Sequence, residues 1–317
     1  MSAKSSKIGI IGVGGRGVEC FGDIIKNHPG AEIVALADTN MLGFNLRHMN
    51  TLVKLKEIIQ SGTLGKVFLI ENREYYDGGK TYMARWNRKY EFSGGLWIHK
   101  GSHDFDVIQW LLDFPKPVKV TATAGINALN PEGIPFDVEE SKPVGPTCAE
   151  CSYNKICPDI TLQPKKAWGK EAQELDQYAK DLCIYTSDKD THDNGISTVE
   201  YEGGIRASHI ECFVTSYTDR LYTVIGDKGM AEVSLHDRTI KIRPRWSQET
   251  ILHQLPEAEG GHGGADTGLV DTFIKTIQGD LNNTSTLEHG MLSTAVGQAA
   301  ELSVRENRTV FVKELFQ

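Results

Sequence analysis

The chain opens on an apolar, β-branched run, Lys7 to Gly12 (KIGIIG), of the kind that fills a parallel strand buried on both faces. A glycine-rich turn follows, then helical spacing to about Lys26, where Asn27-His28-Pro29-Gly30 supplies a stop. Glu32 to Asp38 (EIVALAD) repeats the buried-strand pattern, so the first 38 residues predict one β-α-β unit. From Thr51 the period becomes helical. Leu52, Leu55, Ile58 and Ile59 share a face, and Gly62 stands where a C-terminal glycine belongs. Residues 66–76 predict a strand, and residues 102–113 a helix with Ser102 as its N-cap. Further strands are expected at 117–125, 196–202, 205–213, 220–225 and 230–241, with hairpin signals at Glu202-Gly203-Gly204 and Asp227-Lys228-Gly229. Such a run implies a largely antiparallel sheet. Helices at about 266–278 and 289–306 and a short strand at Val310-Phe311-Val312 follow, whereas residues 130–180 carry no regular period.

Composition narrows the class. A chain of 317 residues, 39% hydrophobic and 24% charged, accommodates two globular domains. No stretch approaches the roughly 20 apolar residues of a membrane span, and the start lacks the apolar core of a secretory signal, so a cytoplasmic protein with no membrane partner is expected. A formal net charge of −8 argues against nucleic acid as a partner. The one basic cluster, Arg85 to Lys89, reads equally as a solvated loop or as the rim of a site for an anionic or hydroxylated ligand.

Gly12-Val13-Gly14-Gly15-Arg16-Gly17 fits G-x-G-x-x-G between a strand and a helix. In that motif Gly12 makes the tight turn, Gly14 lets backbone approach a pyrophosphate, and Gly17 brings helix close to strand. The phosphates then rest on a helix N-terminus, where free N–H groups favour negative charge. Asp38, ending the second strand, suits a ribose hydroxyl and repels a 2′-phosphate. No arginine follows in Thr39-Asn40, so NAD is favoured over NADP.

Four segments together make the chain similar to the Gfo/Idh/MocA oxidoreductases, relatives of glucose-fructose oxidoreductase and inositol dehydrogenase. They are the opening IGIIGVGGRG…VALADTN, Gly43 to Arg47 with KLKEIIQSGTLGKV, the run Ser93 to Asp106 (SGGLWIHKGSHDFD), and Gly261 to Asp266 (GHGGAD). The resemblance implies α/β plus α+β architecture: an incomplete Rossmann-like domain at 1–48, then a substrate and dimerisation domain at 49–317 on a large, open, mainly antiparallel sheet. It also implies a homo-oligomer formed through that sheet. His103 then corresponds to the active-site histidine that exchanges a proton with a substrate hydroxyl, a task suited to imidazole near neutral pH. Many relatives carry an acid four residues earlier, where this chain has His99. Read together, His99 and His103 could instead be a metal pair at i, i+4, a weaker reading because Gly101 interrupts a continuous helix.

Two departures stand out. The chain passes from Asp38 through Met41-Leu42 straight into the segment resembling the domain crossover, so strands expected of a doubly wound domain are absent. No Glu-Lys-Pro tripeptide occurs. Lys100 is the nearest substitute by position for the lysine that motif provides. The expected function is NAD-linked hydride transfer to or from a secondary alcohol of a sugar, inositol or related polyol. Gly12, Gly14, Gly15, Arg16, Gly17 and Asp38 would hold cofactor, His103 and Lys100 would act on substrate, and Arg47, Trp86, His99, His262 and Asp266 would line the pocket. The rivals are a catalytically silent binding protein of the same fold and an NAD-assisted glycosidase.

Six cysteines in such a chain read as free thiols or metal ligands. Cys148, Cys151 and Cys157 lie within ten residues, and Cys183 is a candidate fourth. The C-x2-C step suits zinc, but the step to Cys157 is looser, so packed reduced thiols stand ahead of a structural zinc. Cys20 and Cys212 fall in apolar patterns and are expected in the core.

Overall fold

The computed structural model describes residues 6–11, 23–29, 31–37, 44–161, 181–279 and 287–316. Two compact units partition the chain, one of Met1–Val67, Asp106–Phe114 and Ile225–Ser293, the other of Phe68–Phe105, Pro115–Val224 and Thr294–Gln317.

In the first unit, β1 (Ser6–Ile11) and β2 (Ala31–Ala37) pair in parallel on either side of α1 (Asp23–Asn27), as the opening pattern predicts. Among the described residues this parallel sheet has two strands. Ile8 and Ile25 pack with Val270 and Ile274 in a small core. Helix α2 (Asn50–Gln60) buries Leu52 and Leu55 completely and Ile58 nearly so. Gly62 follows its end at φ +74°, where a Cβ would be strained.

A nine-stranded sheet has the order β10-β9-β8-β7-β3-β6-β5-β4-β11. Its strands are β3 (Val67–Tyr75), β4 (Pro117–Gly125), β5 (Asn194–Tyr201), β6 (Arg206–Cys212), β7 (Asp219–Gly226), β8 (Gly229–Ser234), β9 (Thr239–Pro244), β10 (Ile251–Gln254) and β11 (Val310–Phe311). The expected antiparallel character holds for β4·β5, β5·β6, β8·β9, β9·β10 and β4·β11, while β3 and β6 run parallel. The single strand expected over 230–241 is a hairpin instead. Ser234 Oγ accepts the Asp237 N–H at 2.9 Å, and Arg238 adopts φ +56°, which turns the chain at a place without glycine.

Short helices α3 (Gly79–Tyr82) and α4 (Tyr90–Ser93) precede α5 (Ser102–Leu111), and α6 (Ala265–Gln278) and α7 (Leu287–Glu306) come late in the chain. Ser102 does not cap α5. Its backbone is already helical, because one wide π-helical turn, Trp97–Gly101, leads into α5 without a break. Gly101 therefore does not interrupt the helix. It permits close approach instead, since a Cβ there would sit 3.2 Å from Glu211 Oε2 and 3.3 Å from both Phe105 and Trp97.

Candidate active site

The wide turn carries His99 and Lys100, and the first turn of α5 carries half-buried His103. Such turns interrupt regular hydrogen bonding and recur at functional sites. Glu301 on α7 fixes this one, its Oε1 accepting the Trp97 N–H at 3.0 Å. Gly95, at φ +97°, makes room for that carboxylate, which a Cβ would meet at 1.9 Å. Burial pushes the Glu301 carboxyl up to about 7, with His192 offsetting part of the rise.

Around the turn lies an aromatic wall. The His99 ring stands edge-on to Trp86 at 5.0 Å and to Tyr82 at 5.9 Å. Burial, and then the charge of Lys100, lower the His99 pKa to about 4, so its imidazole is neutral at physiological pH. The Lys100 ammonium lies 4.7 Å from the Tyr76 ring centroid, 5.7 Å from that of Tyr82 and 3.1 Å from Glu74 Oε1. Burial opposes its charge most strongly, but Glu74, Tyr82 and Asp104 together outweigh it and raise the pKa, which keeps the amine protonated. Lys100 is thus a hydrogen-bond donor and a fixed positive charge.

Beneath it the sheet holds a charged network. In the parallel pair, Asn72 stands opposite His209 and Glu74 opposite Glu211, and all four are buried. Arg220 donates to Glu74 Oε1 at 2.6 Å and to Asp104 Oδ1 at 2.9 Å, and the Tyr222 hydroxyl donates to the same Asp104 oxygen at 3.2 Å. His192 and His209 both face Glu211, at 2.5 Å and 3.2 Å. Burial raises the Glu74 pKa, and Arg220 and Lys100 only partly offset it. Burial acts likewise on Asp104, but Arg220 and His209 outweigh it and hold that carboxylate ionised.

Among the described residues, Glu74, His209 and Glu211 place ligand atoms within 4.8 Å of one another, a spacing open to a metal ion. Lys100 and Arg220 already pair with Glu74, and His192 bonds Glu211, so the cluster closes on itself as a support for the turn above. None of these supporting residues was marked by the sequence analysis. The signal available was polar residues at the inward positions of β3 and β6, where an alternating pattern calls for apolar ones.

The remaining expected site residues lie in the first unit. The Arg47 side chain is 5% exposed, its Nε donating to Asp106 Oδ2 at 2.5 Å, its NH2 group pairing with Oδ1, and its plane 4.8 Å from the Phe114 ring. This guanidinium is committed to holding α5, whereas the sequence placed it in a pocket. Asp266, fully buried, accepts the Asn45 amide at 2.5 Å and faces His262 Nδ1 at 2.7 Å, which leaves an exposed imidazole backed by a buried acid. Gly12, Gly14, Gly15, Arg16, Gly17, Asp38 and Cys20 lie outside the described residues. The parallel strands that must flank a dinucleotide fingerprint are present, β1 ending at Ile11 and β2 at Ala37, one residue before Gly12 and Asp38. Half-buried Cys212 ends β6, and Cys148, Cys151, Cys157 and Cys183 are all unpaired.

An open, mainly antiparallel sheet with a helix-borne histidine and lysine over it defines an oxidoreductase of the Gfo/Idh/MocA class. The chain belongs to this family, whose oxidoreductase C-terminal alpha/beta domain matches residues 56–312. YteT of Bacillus subtilis (strain 168), named as an oxidoreductase, is 31% identical over 305 residues, covering 87% of this chain and 70% of that protein. Levoglucosan dehydrogenase, solved with NADH and levoglucosan, is 12% identical at a TM-score of 0.60, over 87% of this chain and 66% of that one. An Agrobacterium radiobacter oxidoreductase with NAD+, L-tartaric acid and magnesium is 13% identical at 0.54, over 88% and 66%. A Desulfitobacterium hafniense oxidoreductase described as NADPH-dependent is 16% identical at 0.58, over 93% and 68%. At these identities the likeness to solved structures is one of fold. The chain spans about two thirds of their length.

Proposed function

We infer that the protein is a nicotinamide-dependent dehydrogenase or reductase acting at a secondary alcohol of a sugar, inositol or related polyol. The observation that carries this reading is the wide turn, which sets a neutral imidazole, a protonated lysine and a tryptophan face side by side above a buried counter-charge. Polyhydroxylated ligands call for that set: an amphipathic wall with a few fixed donors. Residues Gly12, Gly14, Gly15, Arg16, Gly17 and Asp38 would hold the dinucleotide, with NAD preferred because Asp38 opposes a 2′-phosphate. When bound, a nicotinamide supplies a two-electron hydride acceptor or donor.

The protein's own chemistry is proton handling and positioning. His103 accepts the hydroxyl proton as the C–O bond becomes a carbonyl and returns it in the reverse direction. Lys100, held by Glu74, donates to the same oxygen and stabilises charge developing there. His99 and Trp86 orient neighbouring hydroxyls and the apolar face of the ring. His262 with Asp266, and a homo-oligomer built through the sheet, belong to the same reading.

Lys100 tied to Glu74 is equally what a catalytically silent binding protein would retain. The two readings separate on one experiment. The purified chain is titrated with NADH while nicotinamide fluorescence is followed, then assayed for NAD+ and NADP+ reduction over a panel of polyols and sugars. Saturable binding with turnover is expected, NAD+ being preferred. Saturable polyol binding without any nicotinamide binding would overturn the enzymatic reading.

A further inference from the structure

Cys148, Cys151, Cys157 and Cys183 line one cavity of about 20 Å³. That is room for a single atom-sized occupant, but water would need two to four polar partners. No nitrogen or oxygen atom of the wall faces the space, whose remaining sides include Val144 and Ile160. Sulfur is what the cavity offers.

The backbone gathers these four cysteines around the cavity, with no three of their sulfurs within 4.8 Å of one another, so an ion would draw them in. Cys183 is remote in sequence from the other three, yet Thr147 and Leu182 form an antiparallel bridge. The Cys148 N–H donates to the Asp181 carbonyl at 2.6 Å, and the Cys183 N–H to the Pro146 carbonyl at 2.8 Å. Two main-chain N–H groups are spent on sulfur rather than oxygen: Thr161 donates to Cys148 Sγ at 3.4 Å, and Asp159 to Cys157. Donors aimed at sulfur favour the thiolate.

We propose that Cys148, Cys151, Cys157 and Cys183 bind one zinc ion as four thiolates, a closed structural site tying residues 146–161 to residues 181–185. Zinc is the cation whose tetrahedral, all-sulfur coordination matches four such ligands, with no position left open for substrate. Binding releases the four thiol protons to solvent and changes no oxidation state. The proposal is independent of the catalytic reading, since neither His103 nor Lys100 takes part.

Elemental analysis of the full chain, purified without chelators or a metal-affinity tag, tests this. About one zinc per chain is expected, set free in equal amount when a mercurial titrates the thiols. Cys151→Ser and Cys183→Ser should each lose most of the metal, while Cys212→Ser keeps it. Cobalt in place of zinc should give the intense visible bands of a tetrahedral thiolate site. Wild-type protein with less than roughly a tenth of an equivalent of zinc, with stoichiometric iron instead, or with these cysteines joined as disulfides, would overturn the proposal. So would full zinc retention in both serine variants. Should those variants fail to fold, the wild-type metal content and the cobalt spectrum still decide.

Discussion

At the residue scale, His99 and Lys100 show how neighbours on one turn are driven to opposite protonation states. Both are largely withdrawn from water, but only Lys100 has a carboxylate within ion-pair distance. Burial and a neighbouring cation therefore hold His99 neutral, while Glu74 holds Lys100 charged. If His103 is the base, His103→Asn should lower kcat by roughly 10²- to 10⁴-fold with little change in nicotinamide affinity, as stopped-flow turnover and fluorescence titration would report. Lys100→Met should cost turnover too, and Lys100→Arg should restore little of it, because a planar guanidinium does not replace a compact ammonium between two tyrosine rings.

Glu301 gives a pH prediction. Its folded pKa of about 7 lies above the ordinary 4.5, so the native state binds the extra proton. Stability from this group is then complete below about pH 4.5 and is lost as pH rises through 7, on the order of 3 kcal/mol in all. Glu301→Gln, an isostere of the protonated acid that still accepts the Trp97 N–H, should raise Tm at pH 8 and approach the wild type below about pH 4.5. Equal Tm differences at both pH values would contradict the assignment. Of these residues, His99, Lys100 and His103 were legible because they lie together in one motif. Glu74, Arg220 and Glu211 were not, because their meeting depends on strand order and register, which a linear pattern does not carry.

At the element scale, the pattern located most strands and helices because each buries one regular face. The departures have local causes. The 230–241 strand breaks at a serine-closed turn that contains no glycine, and the helix expected to begin at Ser102 begins earlier, held from outside by Glu301. The parallel β3·β6 pair was invisible in sequence, since neighbouring strands with alternating faces look the same in either direction. That pair puts Glu74 directly across from Glu211, an arrangement tolerable only with cations in place. Arg220→Met should therefore destabilise the protein by about 3–5 kcal/mol, leaving buried Asp104 without its ion pair and Glu74 with Lys100 alone, whereas loss of an exposed pair such as Lys54–Glu57 should cost under about 1 kcal/mol. Chemical denaturation of the two variants measures the contrast.

At the scale of the whole molecule, the family assignment rests on residues 56–312, which carry the sheet, the wide turn and the charged network. The expected architecture agrees: a β-α-β start, then a large open sheet, mostly antiparallel. No Glu-Lys-Pro tripeptide occurs in the sequence, so the proposed function depends most sharply on Lys100. Transfer of deuterium from a carbon-deuterated polyol to NAD+, followed by mass spectrometry of the reduced nucleotide, tests this most directly. Wild-type protein should deliver one deuteride per turnover, and Lys100→Met should bind the nucleotide yet transfer at least roughly 100-fold more slowly. Undiminished transfer by Lys100→Met, or none by the wild type across the panel, would contradict the account.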